Sequence, residues 1–78
     1  MEKSAVMDRV TINIQRQLDR RGWTHEDLAD ALGQQRAAVS RMLRGENSPR
    51  LIYLERIAEA MDVDVSVFFR QVREKISA

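Results

Sequence analysis

The chain has 78 residues, 13 Lys or Arg against 12 Asp or Glu for a formal net charge of +1, and no cysteine. That allows one small domain, excludes disulfides and thiolate chemistry, and suits a reducing compartment. A core of this size supplies about 3–5 kcal/mol unaided, so self-association would help it. There is no charged-then-apolar leader and no apolar run of the ~18 residues a membrane span needs, so neither export nor membrane insertion is expected, and the expected location is the cytoplasm.

Residues 1–5 are expected to fray. A first helix is predicted over 6–21, with Val10, Ile14 and Leu18 spaced i, i+4 and i+8 on one face. Residues 10–14, VTINI, also alternate apolar and polar and are rich in β-branched side chains, so that stretch taken alone reads as a strand too. Arg20, Arg21 and Gly22 then supply cations and a stop, as the end of a helix prefers.

Residues 24–45, THEDLADALGQQRAAVSRMLRG, form the unit around which the rest is organised. Thr24 is placed to cap a helix, with Asp27 three residues on completing a capping box. Leu28 and Leu32 share a face, Ala29 is small where another helix must pass close, and Gly33 ends the helix in the left-handed conformation. A second helix follows at once. Val39, Met42 and Leu43 form its inward stripe, while Arg36, Ala37, Ser40, Arg41 and Arg44 point the other way, and Gly45 closes it. Two short helices joined by a tight turn, the second with an outer face of arginines and small groups, make a helix-turn-helix.

After Gly45, Ser48 is read as the cap of a helix over 49–61 that opens with Pro49, with Leu51, Leu54, Ile57, Ala58 and Met61 on one face. Asp64 is read as the cap of a fifth helix over 64–76. Val65, Phe68, Phe69, Val72 and Ile76 keep helical spacing along it. That stripe either folds back on the first helix or packs on a second copy, and the second option is favoured here.

Charge separates along the chain. Arg36, Arg41, Arg44 and Arg50 face only Glu46 between residues 34 and 50, whereas Glu55, Glu59, Asp62 and Asp64 face Arg56 in the next stretch. Positive charge lies where phosphates would be met.

From residue 23 to 69 the sequence resembles the lambda-repressor and Cro-like helix-turn-helix family, also called the XRE family. Thr24, Leu28, Ala29, Gly33, Ser40, Arg41, Gly45, Pro49, Leu54, Ile57 and Ala58 fall in its register. The resemblance implies an all-α fold, a compact five-helix domain with an extended C-terminal helix, so that residues 6–21 are a helix rather than a strand. Trp23 takes the place of an apolar anchor between the first two helices. Three departures matter. Leu18 and Leu43 stand where the family commonly has an Arg and a Glu in a buried ion pair; an apolar pair can replace such a pair without loss, so the two are predicted to touch. His25 stands in place of a Gln that bonds a DNA phosphate. Asp62 replaces a helix-ending glycine, and Asp tolerates that conformation better than most residues.

The resemblance further implies sequence-specific binding of duplex DNA, with the third helix in the major groove. Gln35, Arg36, Ala37, Ser40 and Arg41 hold the positions that read base edges. Arg36 and Arg41 suit guanine O6 and N7, and Ala37 a thymine methyl. Phosphates would be held by Thr24 and His25 at a helix start, and by Arg44, Asn47, Ser48 and Arg50 on the other side. Ile52 and Tyr53 are bulky where the family is polar. With Val65, Phe68, Phe69, Val72 and Ile76 they form the expected homodimer surface. The function expected is that of a cytoplasmic transcription regulator reading an inverted repeat as a homodimer, with repressor, activator and controller of a neighbouring operon equally open. No cofactor, metal or small-molecule ligand is expected. His25 is the sole histidine, and no phosphate loop or metal-ligand spacing occurs, so an enzyme is not expected. The competing reading is a protein-interaction module, an antitoxin or accessory factor whose DNA binding is secondary.

Overall fold

Residues 5–72 are described by the computed structural model. Residues 10–14 are helical and lie in α1 (Ala5–Arg21). In a strand Val10, Ile12 and Ile14 would share a face. The helix instead buries Val10 and Ile14 completely and turns Ile12 outward, 42% exposed. Thr11 and Asn13, polar and nearly buried, are both satisfied: the Thr11 hydroxyl donates to the Asp8 carbonyl, and the Asn13 amide reaches across the fold. Tertiary burial thus overrides the β propensity of the segment.

Three further α-helices follow: α2 (His25–Leu32), α3 (Arg36–Leu43) and α4 (Leu51–Met61), then a 3-10 helix (Val65–Phe69). α2 packs on α3 and α4; α1 packs on α3 and on the 3-10 helix, which also meets α4. Between them lies one core that includes Val10, Ile14, Leu18, Leu28, Val39, Leu54, Ile57 and Phe68, and Trp23 packs half-buried against it. Leu18 is fully buried in this core and Leu43 packs half-buried against it, on two helices, α1 and α3, that meet.

The capping box at α2 is complete. The Asp27 N–H donates to Thr24 Oγ1 at 3.1 Å, and the Thr24 N–H donates to the Asp27 carboxylate at 2.8 Å. Thr24→Ala is expected to lower stability by about 0.5–2 kcal/mol, read as a shift of the denaturation midpoint. At the other end Gly33 has φ 67 and ψ 31, and a side chain there would meet nothing within 4 Å. The requirement for glycine is therefore the backbone's own. Asp62 ends α4 with φ 57 and ψ 46, as the chemistry of Asp predicts. Neither α2 nor α4 has a basic residue in its last turn. Other helices supply the cation: Arg56 donates to the Leu32 carbonyl at 3.3 Å, and Arg21 to the Met61 carbonyl at 2.6 Å.

Three expectations need correction. α4 begins at Leu51 with Arg50 as its N-cap residue, so Ser48 does not cap it and Pro49 is not its first residue. Arg50 keeps an extended backbone, ψ 156, and the Ser-Pro signal marks the neighbourhood of a start and not the first turn. Leu51, placed on the inward stripe, is 57% exposed.

The third correction concerns the fifth helix expected over 64–76. Asp64 does cap the element, accepting from the Ser66 N–H at 2.9 Å, but a 3-10 helix ends at Phe69 and Arg70 is extended. The hydrogen bonds from Ser66 hold the Asp64 carboxyl below its ordinary range, so the cap is complete at neutral pH and is lost as the carboxyl protonates in acid. The physical reason for the early end is Asn13. Its amide donates to the carbonyls of Phe68 and Arg70, at 3.0 and 2.8 Å, which a continuing α-helix would have offered to residues further on. Phe68 is consequently fully buried within its own subunit and is not a dimer contact. Val65 and Phe69 are half-buried against the same core. Val72 lies beyond the 3-10 helix, half-buried, and Ile76 is outside the described residues.

Candidate nucleic-acid interface

α3 divides its side chains as its sequence requires. Val39 and Met42 are buried and Leu43 is half-buried, while Arg36, Ala37 and Arg41 are exposed and Ser40 is half-buried. Arg36, Ala37, Ser40, Arg41 and Arg44 line one shallow concavity of about 370 Å³ along the outer side of the helix. Thr24, His25, Glu26 and Arg36 line a second, of about 300 Å³, at the start of α2. Arg36 belongs to both. Most of the residues expected to read bases and the start of α2 are therefore joined through Arg36, although they are up to 17 positions apart in sequence (24 to 41).

The remaining candidates lie around that surface. Gln35 precedes α3 as its N-cap residue, exposed, with a backbone that accepts from the first turn and a side chain that makes no capping bond. Asn47, Ser48 and Arg50 are exposed in the connection between Gly45 and α4. Arg44 pairs with Glu46 at 2.7 Å, both well exposed. An exposed pair of this kind contributes little, so a phosphate can displace the carboxylate at small cost.

At the start of α2 the capping box already satisfies the N–H groups of Thr24 and Asp27. The backbone N–H groups of His25 and Glu26 are left as the first-turn donors without an intrahelical acceptor, and they carry the positive end of the helix dipole. The His25 imidazole, by contrast, is engaged on both sides: Nδ1 lies 2.9 Å from Ser40 Oγ on α3, and Nε2 lies 2.8 Å from Gln15 Oε1 on α1. Gln15 in turn donates to the Asp19 carboxylate at 2.9 Å.

Nothing in the sequence marks Gln15 and Asp19 as residues of this site. They lie on a helix whose apolar stripe carried all the legible signal, and only packing brings α1 behind the cleft. Glu26 is also new to the site; its carboxylate suits the first turn of a helix and makes the cleft less favourable for an anion than the face of α3. Ile52 is 64% exposed. Tyr53 is half-buried against the core, and this burial raises its phenol above the usual range against the opposing charge of Arg56. Among the described residues no group of His, Cys, Asp or Glu is arranged to hold a metal ion, and no helix is long and apolar enough to cross a membrane.

A family model for helix-turn-helix domains matches residues 14–68. That span begins inside α1 and ends at Phe68, so it contains the helix-turn-helix, α4 and nearly all of the 3-10 helix. No match was found among curated proteins or among solved structures.

Proposed function

The chain belongs to the lambda-repressor and Cro-like helix-turn-helix family, a family of DNA-binding regulators, and from that premise we infer that it reads a specific duplex sequence as a cytoplasmic homodimer and controls transcription. One observation carries the reading: the outward side of α3 is a single surface of Arg36, Ala37, Ser40, Arg41 and Arg44, while its inward side buries Val39 and Met42 in the core. A helix of this kind fits the major groove, where Arg36 and Arg41 can each make paired bonds to guanine and Ala37 can meet a thymine methyl, with Gln35 at the leading end. Phosphates on one side meet the free N–H groups at the start of α2, beside Thr24 and His25. On the other side they meet Arg44, Asn47, Ser48 and Arg50.

Selection of bound duplexes from a random pool at about physiological salt tests the reading, because phosphate-only binding fades there while base reading persists. An inverted repeat with half-sites about one helical turn apart is the expected product. Enrichment of nothing beyond random sequence would sink the proposal and favour an accessory protein that grips another chain.

For the dimer, the burial of Phe68 moves weight from the C-terminal segment to the start of α4. Leu51 and Ile52 are adjacent, apolar and exposed there, with Tyr53 at the edge. Ile52→Glu is expected to weaken self-association by at least about 2 kcal/mol, since a twofold axis applies the change on both subunits. Sedimentation at several concentrations reads it; an unchanged dimer would place the contact elsewhere.

A further inference from the structure

The geometry points to His25 as a positioning residue that sets whether Ser40 offers DNA a hydrogen-bond acceptor or a donor, so that base preference beneath Ser40 follows the charge of the imidazole. The inference rests on the DNA-reading role of α3 proposed above.

One chain of hydrogen bonds runs from α1 through α2 to α3. An ionised carboxylate only accepts, so Asp19 holds the Gln15 amide with its NH2 toward Asp19 and its Oε1 toward His25. A carbonyl oxygen only accepts as well, so the hydrogen between Gln15 and His25 belongs to His25 Nε2. A neutral imidazole has one N–H. With that hydrogen on Nε2, Nδ1 is bare and must accept from the Ser40 hydroxyl, 2.9 Å away. The one hydrogen of Ser40 is then turned inward, and its oxygen faces outward with lone pairs only.

Protonating the ring reverses the last link. Both nitrogens then carry hydrogen, Nδ1–H donates to Ser40 Oγ, and the hydroxyl hydrogen is released toward the groove. In the first state Ser40 accepts from the amino group of adenine or cytosine. In the second it donates to guanine O6 or N7, to thymine O4 or to adenine N7, so cytosine, which offers only a donor, is the base that the two states separate. No heavy atom has to move.

The charged groups around the ring are Asp19 behind Gln15 on α1, Glu26 beside it on α2 and Arg36 across the cleft on α3; Arg56 on α4 reaches the opposite end of α2. His25 is the sole histidine of the chain, so no other histidine can produce the same response. Sequence alone could not reveal this link, because residues 15, 25 and 40 meet only in the fold.

The test uses the full chain and a duplex pool, selected at about pH 8 and at about pH 5. The relevant base pair is the one whose preference Ser40→Ala relaxes. Wild type is expected to lose preference for cytosine over guanine or thymine there by roughly two- to tenfold as pH falls, the worth of one hydrogen bond. His25→Gln and Ser40→Ala are each expected to show no such change. A wild-type preference independent of pH, or a pH response that survives in Ser40→Ala, would overturn the inference while leaving DNA reading intact. Enrichment of no sequence at either pH would overturn both. Nitrogen NMR of the ring in the free protein gives a check that needs no DNA: hydrogen on Nε2 is expected at the higher pH, and hydrogen on Nδ1 alone would overturn the inference.

Discussion

Phe68→Ala is expected to leave the protein largely unfolded. Removing a fully buried phenylalanine ring costs about 3–5 kcal/mol, the lost transfer energy plus the cavity left behind. A domain of this size has about that much stability in total. The site cannot relax cheaply, because Phe68 sits where the 3-10 helix meets both α1 and α4, and its own carbonyl is held by Asn13. Chemical denaturation followed by circular dichroism measures the effect, and its dependence on protein concentration separates two explanations. A core residue destabilises each subunit, so the loss is the same at every concentration where the protein is monomeric. A dimer contact would leave the monomer folded and shift only the association. A folded monomeric Phe68→Ala would mean that the ring belongs to an interface after all.

The second large effect lies on the outer face of α3. Arg36→Ala and Arg41→Ala are each expected to weaken binding to the selected sequence by about 1–3 kcal/mol and to relax the preference at one base pair, while binding to random duplex changes little. Both side chains are exposed and neither takes part in the core, so the fold should be unaffected. Arg50→Ala provides the contrast. As a phosphate contact it should weaken all sequences alike and make the salt dependence shallower by about one unit of slope. Titrations of cognate and random duplex at several salt concentrations distinguish the two patterns. Equal losses on both duplexes for Arg36→Ala would remove it from base reading.

Much of this protein follows from local chemistry and was legible without the fold. The capping box of Thr24 and Asp27, the turn at Gly33, the left-handed Asp62 and the cap at Asp64 each depend on residues within a few positions of one another. The inward stripes of α1, α2 and α3 depend only on helical period, and they correctly marked the core and the outer arginines. Where a residue's surroundings come from elsewhere in the chain, the pattern was silent or misleading. Residues 65, 68, 69, 72 and 76 keep the spacing of a long helix, and nothing near them says that it will stop. It stops because an asparagine 55 positions away from Phe68 takes the carbonyls a further turn would need. Leu51 fits an inward stripe by number, yet its turn opens α4 beyond the reach of the core and leaves it in water. The bond from His25 to Ser40 and Gln15 joins three helices whose order in sequence gives no hint of it. Sequence by itself therefore determined helices α1 to α3, the caps at Thr24 and Asp64 and the arginine face. Tertiary structure decided how far the last helix runs, which apolar side chains remain for a partner, and which polar groups stand behind the DNA-facing surface, because those depend on hydrogen bonds and burial between residues that only packing brings together.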